Sequence, residues 1–234
     1  MTHTSTEDGA DKGVSGIDGP VSRWLNRPLS RRISGLRLSQ QLTPDQWSWI
    51  AFVAVCAGAG AFSAGRPRLG ATLCHAGSVI DGVDGEVARN QGTANPAGAL
   101  LDLVLDRVGD VAVLAGLAQG SGGTRGDWLM ALAAANGILV SGLTKERLGA
   151  EQQSVRLLQE EEGQRHPIDR LVPWTGRDGR LLAVTAAGLA RKPRVALGVL
   201  AVLANVRLVR RFAAARSMLR AAAGPEKPHH IVAP

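Results

Sequence analysis

Four aspartates stand close together in an otherwise apolar stretch: Asp81 and Asp84, then Asp102 and Asp106. The first pair is spaced i,i+3 and the second i,i+4, so each pair falls on one face of a helix. Gly92 and Pro96 lie between the pairs, where a turn fits. Two antiparallel helices joined there can direct four carboxylates at a common space. Leu100, Leu101, Leu103, Val104 and Leu105 surround the second pair, which argues against a freely solvated face. Carboxylates in apolar surroundings are costly unless they protonate or hold cations. Hard oxygen ligands at this density suit Mg²⁺, with Mn²⁺ as the alternative. Such ions serve phosphate chemistry.

The elements that must position these groups are apolar helices. Thr43 and Pro44 form a helix start, with Thr43 as cap and Pro44 in the first turn. Trp47 to Ala64 then carries no charge. At 1.5 Å per residue it is about 27 Å long, close to a hydrocarbon core, and Trp47 and Trp49 suit a headgroup anchor. Leu69–Val87, Gly98–Ala118, Trp128–Leu143, Leu181–Ala190 and Val195–Leu208 are the further candidate spans. Ahead of them, Val21, Trp24, Leu25, Leu29, Ile33 and Leu36 recur at helical spacing among Arg23, Arg27, Arg31, Arg32 and Arg37. A basic amphipathic helix of this kind lies in the interface of an anionic membrane. The expected fold is all-α: an integral membrane bundle of six transmembrane helices with an N-terminal interfacial amphipathic helix. Residues 1–17 read as a disordered, polar leader without a secretory signal, 18–42 as the interfacial helix, 43–220 as the six-helix domain and 221–234 as a flexible tail.

Charge and composition narrow the partners. The 234-residue chain has a net charge of +7, which suits nucleic acid, a membrane surface or a phosphorylated substrate. With 3% aromatic residues and no Tyr, base stacking has few platforms, so no nucleic-acid partner is expected. The two cysteines, Cys56 and Cys74, are too few for a disulfide scaffold and read as buried thiols. Lys and Arg concentrate before the first span, between Lys145 and Arg180, and from Arg207 onward. Six crossings with the N-terminus inside put all three clusters on one side, as the positive-inside rule requires. Both termini and the aspartate site are then expected on the cytoplasmic side of the cell membrane. Arg191-Lys192-Pro193-Arg194 is basic and outside in this topology, its one awkward point.

The segment from Asp81 to Asp106 resembles the signature of the CDP-alcohol phosphatidyltransferase family, D-x2-D-G-x2-A-R-x8-G-x3-D-x3-D. Asp81, Asp84, Gly85, Ala88, Arg89, Gly98, Asp102 and Asp106 meet every fixed position. A chance match in a chain this long has odds on the order of 10⁻⁷ at ordinary residue usage. Asp18-Gly-Pro-Val-Ser-Arg-Trp-Leu-Asn-Arg-Pro-Leu-Ser is similar to the interfacial helix of members that handle inositol phosphates. Leu42-Thr-Pro-Asp-Gln resembles their TPN helix start, with Asp45 in place of Asn, and Gly176-Arg-Asp-Gly-Arg180 resembles a GRD stretch that opens their fifth helix.

The resemblance implies a six-helix membrane transferase, homodimeric and embedded among lipids. It would move a phospho-alcohol group from a CDP-linked donor to an alcohol or alcohol-phosphate acceptor and release CMP. Asp81, Asp84, Asp102 and Asp106 would bind two divalent ions, Mg²⁺ or Mn²⁺, and Asp106 would also be the general base. Gly85, Ala88, Arg89 and Gly98 would face the CDP group. The small residues equally suit close helix packing, and Arg89 equally suits an ion pair. A phosphorylated acceptor needs cations near the metals, for which Lys145, Arg147, Arg177 and Arg180 are the candidates. The donor is either CDP-diacylglycerol or a soluble CDP-alcohol such as CDP-inositol, and the product belongs to phospholipid or polar inositol-phosphate synthesis. No nucleotidyltransferase pattern precedes residue 18, so the donor is expected from another protein. A UbiA-like prenyltransferase also uses Asp-rich helices and Mg²⁺, but needs a longer chain with well-separated motifs. A divalent-cation carrier explains intramembrane carboxylates, but not Gly85, Ala88, Arg89 and Gly98 at fixed spacing.

Overall fold

A computed structural model describes residues 26–35, 41–155 and 177–222; side chains are described except at Arg27, 145–155, 177–178 and 218–222. The described residues form seven α-helices and no strand: α1 (Arg27–Ser34), α2 (Pro44–Ser63), α3 (Pro67–Gln91), α4 (Pro96–Gly120), α5 (Arg125–Val155), α6 (Arg177–Leu189) and α7 (Pro193–Ala222). Helices α2 to α7 correspond in order to the six apolar segments of the sequence. Two stretches are long and apolar enough to cross a membrane, Pro44–Ser63 and Arg125–Thr144. The other four fall short for physical reasons. Helices α3 and α4 carry the aspartates, α6 has 13 residues, and α7 carries Arg207, Arg210 and Arg211.

Helix starts follow local chemistry. Pro28, Pro44, Pro67 and Pro96 occupy first turns, where a missing N–H costs nothing. Thr43 caps α2 in a capping box with Gln46. Asn95 Oδ1 caps α4 by accepting from the Gly98 N–H at 2.9 Å. Gly92, at φ 65°, ends α3 in the left-handed region that glycine adopts without strain.

Helix α2 packs against both α3 and α4, α5 against α7, and α6 against α3 and α7. The core runs through Phe62, Leu114, Leu117, Ala134, Leu197 and Leu200. Small residues bring the backbones together. A Cβ on Gly77 would sit 2.7 Å from a Val55 methyl, and one on Gly116 would collide with the Ala59 carbonyl. Helix pairs in lipid rely on such close approach, because apolar burial gives no net drive there. At one end of the bundle, the fully buried Asp127 accepts two bonds from Arg194, from Nε at 2.7 Å and from Nη2 at 2.9 Å. Thr124 Oγ1 also donates to Asp127, at 2.6 Å. This clamp ties the start of α5 to the start of α7.

Helix α1 differs from the helix expected over 18–42. It ends at Ser34, capped by Gly35, and Gln41–Thr43 is not α-helical; residues 18–25 and 36–40 lie outside the described residues. Its docking face is polar. Asn26, Ser30 and Ser34 are buried, whereas Leu29 is exposed. Asn26 Nδ2 donates to Ser78 Oγ at 3.1 Å, and Gly82 leaves room for Ser30. The helix therefore rests on α3 by its small polar stripe.

Candidate active site

Helices α3 and α4 both pack against α2 and bring Asp81, Asp102 and Asp106 together. One carboxylate oxygen from each lies within 4.8 Å of the others, and all three side chains are half-buried. Oxygens sharing an octahedral ion at about 2.1 Å are separated by roughly 3–4 Å, so this group fits a divalent cation after small side-chain adjustments. Asp84 stands beside that group, not in it. Its Oδ2 accepts from Ser48 Oγ at 2.6 Å, and its Oδ1 accepts from the Gly85 N–H.

Asp81, Asp102 and Asp106 line a cavity of about 100 Å³ together with Ser48, Ser78 and Asp110. The deeper wall is apolar, from Phe52 and Val55 to Leu114 and Leu200. Helix α4 thus has reversed polarity. Leu100, Val104, Val108 and Val111 are exposed on its outer face, while Asp102, Asp106 and Asp110 line the cavity. An apolar exterior around inward-facing, half-buried carboxylates is the arrangement expected where the outer solvent is hydrocarbon.

Arginines gather at the same end. Arg180 Nη2 donates to Asp110 Oδ2 at 3.1 Å, and Arg107 Nη1 to the same oxygen at 3.5 Å. Arg211 Nη1 donates to the Ser141 carbonyl at 2.7 Å. Arg107, Arg180 and Arg211 are also electrostatic neighbours of Arg207. Of the four candidate acceptor cations, Arg180 lines the cavity. The backbones of Lys145 and Arg147 belong to α5 and that of Arg177 opens α6, but their side chains lie outside the described residues.

The cavity lining among the described residues includes none of Gly85, Ala88, Arg89 and Gly98. Arg89 is exposed and pairs with Glu86 at 3.1 Å, and Arg31 of α1 approaches the same carboxylate at 3.7 Å. Gly98 lies in the first turn of α4, where an added Cβ would come within 3.3 Å of Asp45 Oδ1. The α2 and α4 starts thus approach each other closely at Gly98. Ser48 is the site residue that motif reasoning passed over; its signal was a hydroxyl inside a charge-free span. Asp110 forms a salt bridge with Arg107, but Arg180 is the nearer partner.

A family model described as CDP-alcohol phosphatidyltransferase matches residues 41–161. The chain belongs to this family. It is 38% identical over 201 residues to the bifunctional IPC transferase and DIPP synthase of Rubrobacter xylanophilus, covering 86% of this chain and 43% of that protein. A phosphatidylinositol phosphate synthase of Cutibacterium acnes is 31% identical over 160 residues, covering 68% of this chain and 73% of the relative. The chain thus spans less than half of the bifunctional relative. Among solved structures, the Mycobacterium tuberculosis phosphatidylinositol phosphate synthase in complex with manganese and citrate superposes with a TM-score of 0.61 at 25% identity. That match covers 82% of this chain and 90% of the other.

Proposed function

We propose that this chain is a membrane transferase that moves a phospho-alcohol group from a CDP-linked donor to an alcohol acceptor and releases CMP. The observation that carries the reading is the convergence of Asp81, Asp102 and Asp106 at one cavity within a family-signature segment. The acceptor oxygen attacks the phosphorus that carries the donor alcohol, the bond from that phosphorus to the CMP oxygen breaks, and CMP leaves with the electron pair. Asp106 takes the proton of the attacking hydroxyl as general base. The four aspartates are assigned as ligands of two divalent ions, Mg²⁺ or Mn²⁺, which supply Lewis-acid neutralisation of the pyrophosphate charge. Asp84 remains eligible beside its Ser48 contact, because a carboxylate offers about four lone-pair sites. The manganese in the Mycobacterium tuberculosis relative supports this donor set.

Gly85, Ala88, Arg89 and Gly98 are assigned to the CDP side, in the signature segment that runs from α3 into α4. Arg180 is assigned to an acceptor phosphate, since it lines the cavity, with Lys145, Arg147 and Arg177 as further cations at the same helix ends. The names of the relatives, phosphatidylinositol phosphate synthase and IPC transferase, support an inositol phosphate as acceptor. The bundle is read as six spans in the cell membrane, with α1 at the interface and both termini and the site on the cytoplasmic side. The outward apolar residues of α4, α5 and α7 and the asymmetry of Lys and Arg support that topology. The working assembly is read as a homodimer.

The test is CMP release by the purified chain, with a panel of CDP-alcohols and acceptors, with and without Mg²⁺. Metal-dependent CMP release that requires both substrates is expected. Metal flux through vesicles without CMP release from any pair would contradict the reading.

A further inference from the structure

Asp110 lies one turn beyond Asp106 on the inward face of α4 and lines the same cavity. Its Oδ2 accepts from both Arg180 and Arg107, whereas its Oδ1 has no hydrogen-bond partner among the described residues. Arg180 is 15% exposed, and its Nε is buried with no partner. The ion pair thus leaves one acceptor, Asp110 Oδ1, and one donor, Arg180 Nε, without a partner among the described residues, both on side chains that line the cavity. A buried donor left unmade costs about 1–3 kcal/mol, so a molecule that satisfies Nε is favoured there. The complement of this pair is an anionic oxygen next to a hydroxyl.

A carboxylate beside a phosphate site also carries a Coulombic cost. Phosphate binding alone would be better served by a neutral residue at position 110. A carboxylate there has a use if it accepts a hydrogen bond from the same ligand.

We propose that Asp110 selects the acceptor: through Oδ2 it positions Arg180 for the acceptor phosphate, and through Oδ1 it accepts from a neighbouring hydroxyl. The inference rests on the transferase reading and on Arg180 as the phosphate cation. It favours a phosphorylated polyol over a phosphate ester of similar shape without hydroxyls. Sites built to hydrogen-bond a hydroxyl reject analogues that lack it, because a buried polar group is then left unpaired.

The experiment is equilibrium binding of inositol 1-phosphate and of cyclohexyl phosphate to the purified full chain. The wild type is expected to prefer the polyol phosphate by about tenfold or more. Asp110→Asn is expected to keep cyclohexyl phosphate binding and bring the ratio to within about threefold. Asp110→Glu, which retains the charge that Arg107 and Arg180 need but moves the carboxylate by one methylene, is expected to lower the ratio by a smaller factor. A purely structural role would weaken both ligands in parallel, and an unchanged ratio in both variants would overturn the inference while leaving the phosphate reading intact. A wild type that binds neither ester would overturn the phosphorylated-acceptor reading and this inference with it, and CMP release with other acceptors would show whether transfer itself survives.

Discussion

Asp106 and Asp84 are assigned different tasks, and the structure gives them different surroundings. Asp106 shares its space with Asp81 and Asp102, whereas Asp84 is held by Ser48 on α2. Replacing Asp106 with Asn preserves shape and removes the base. A fall in kcat of about 10²–10⁴-fold is expected, with nucleotide binding largely retained in an equilibrium assay. Near wild-type turnover would remove Asp106 from that role. Asp84→Ala should weaken metal-dependent CDP binding, read as a rightward shift of the Mg²⁺ titration, and an unmoved titration would take Asp84 off the ligand set. The four aspartates were legible in the sequence because helical spacing alone puts each pair on one face. The Arg180–Asp110 pair was not, since its members sit 70 residues apart on different helices. Only packing decides that they meet.

Helices α2 to α7 were legible because apolar runs, capping residues and prolines coincide at their starts. Their ends were less so. Helix α5 continues to Val155, well past the apolar run that ends near Leu143, since charged side chains do not stop a helix. For α1, apolar periodicity suggested a longer helix, but Gly35 caps it and its polar stripe meets α3. Which face docks depends on the partner surface, here Ser78 and the gap at Gly82. Contacts between helices lead to two predictions. Gly116→Leu places a side chain against the Ala59 carbonyl, and overpacking of this kind costs about 1–3 kcal/mol. A lower Tm in detergent is expected, and an unchanged Tm would show that α2 and α4 are not in that register. Asp127→Asn removes the charge that holds Arg194 and should also lower Tm. Because the clamp is remote from the aspartates, the KM values of the folded fraction should stay as in wild type, and a raised KM would tie the clamp to the site.

The described residues are polar inside and apolar outside along α4, and Arg107 and Arg180, with Arg207 and Arg211 near them, gather at the end that bears the aspartates. Such a bundle belongs in a bilayer with that end at the aqueous boundary. Alkaline carbonate washing should leave the chain in the membrane pellet, and its release into the supernatant would contradict the six-span reading. In detergent, light scattering with the detergent contribution subtracted should give the mass of two chains, and a single chain at all concentrations would contradict the dimer.

The most direct test of the metal-assisted site is a Mn²⁺ anomalous difference map of crystals of the active protein. The account predicts anomalous density bounded by Asp81, Asp102 and Asp106, with Asp84 adjoining. Well-occupied Mn²⁺ elsewhere, with those carboxylates touching no ion, would contradict it.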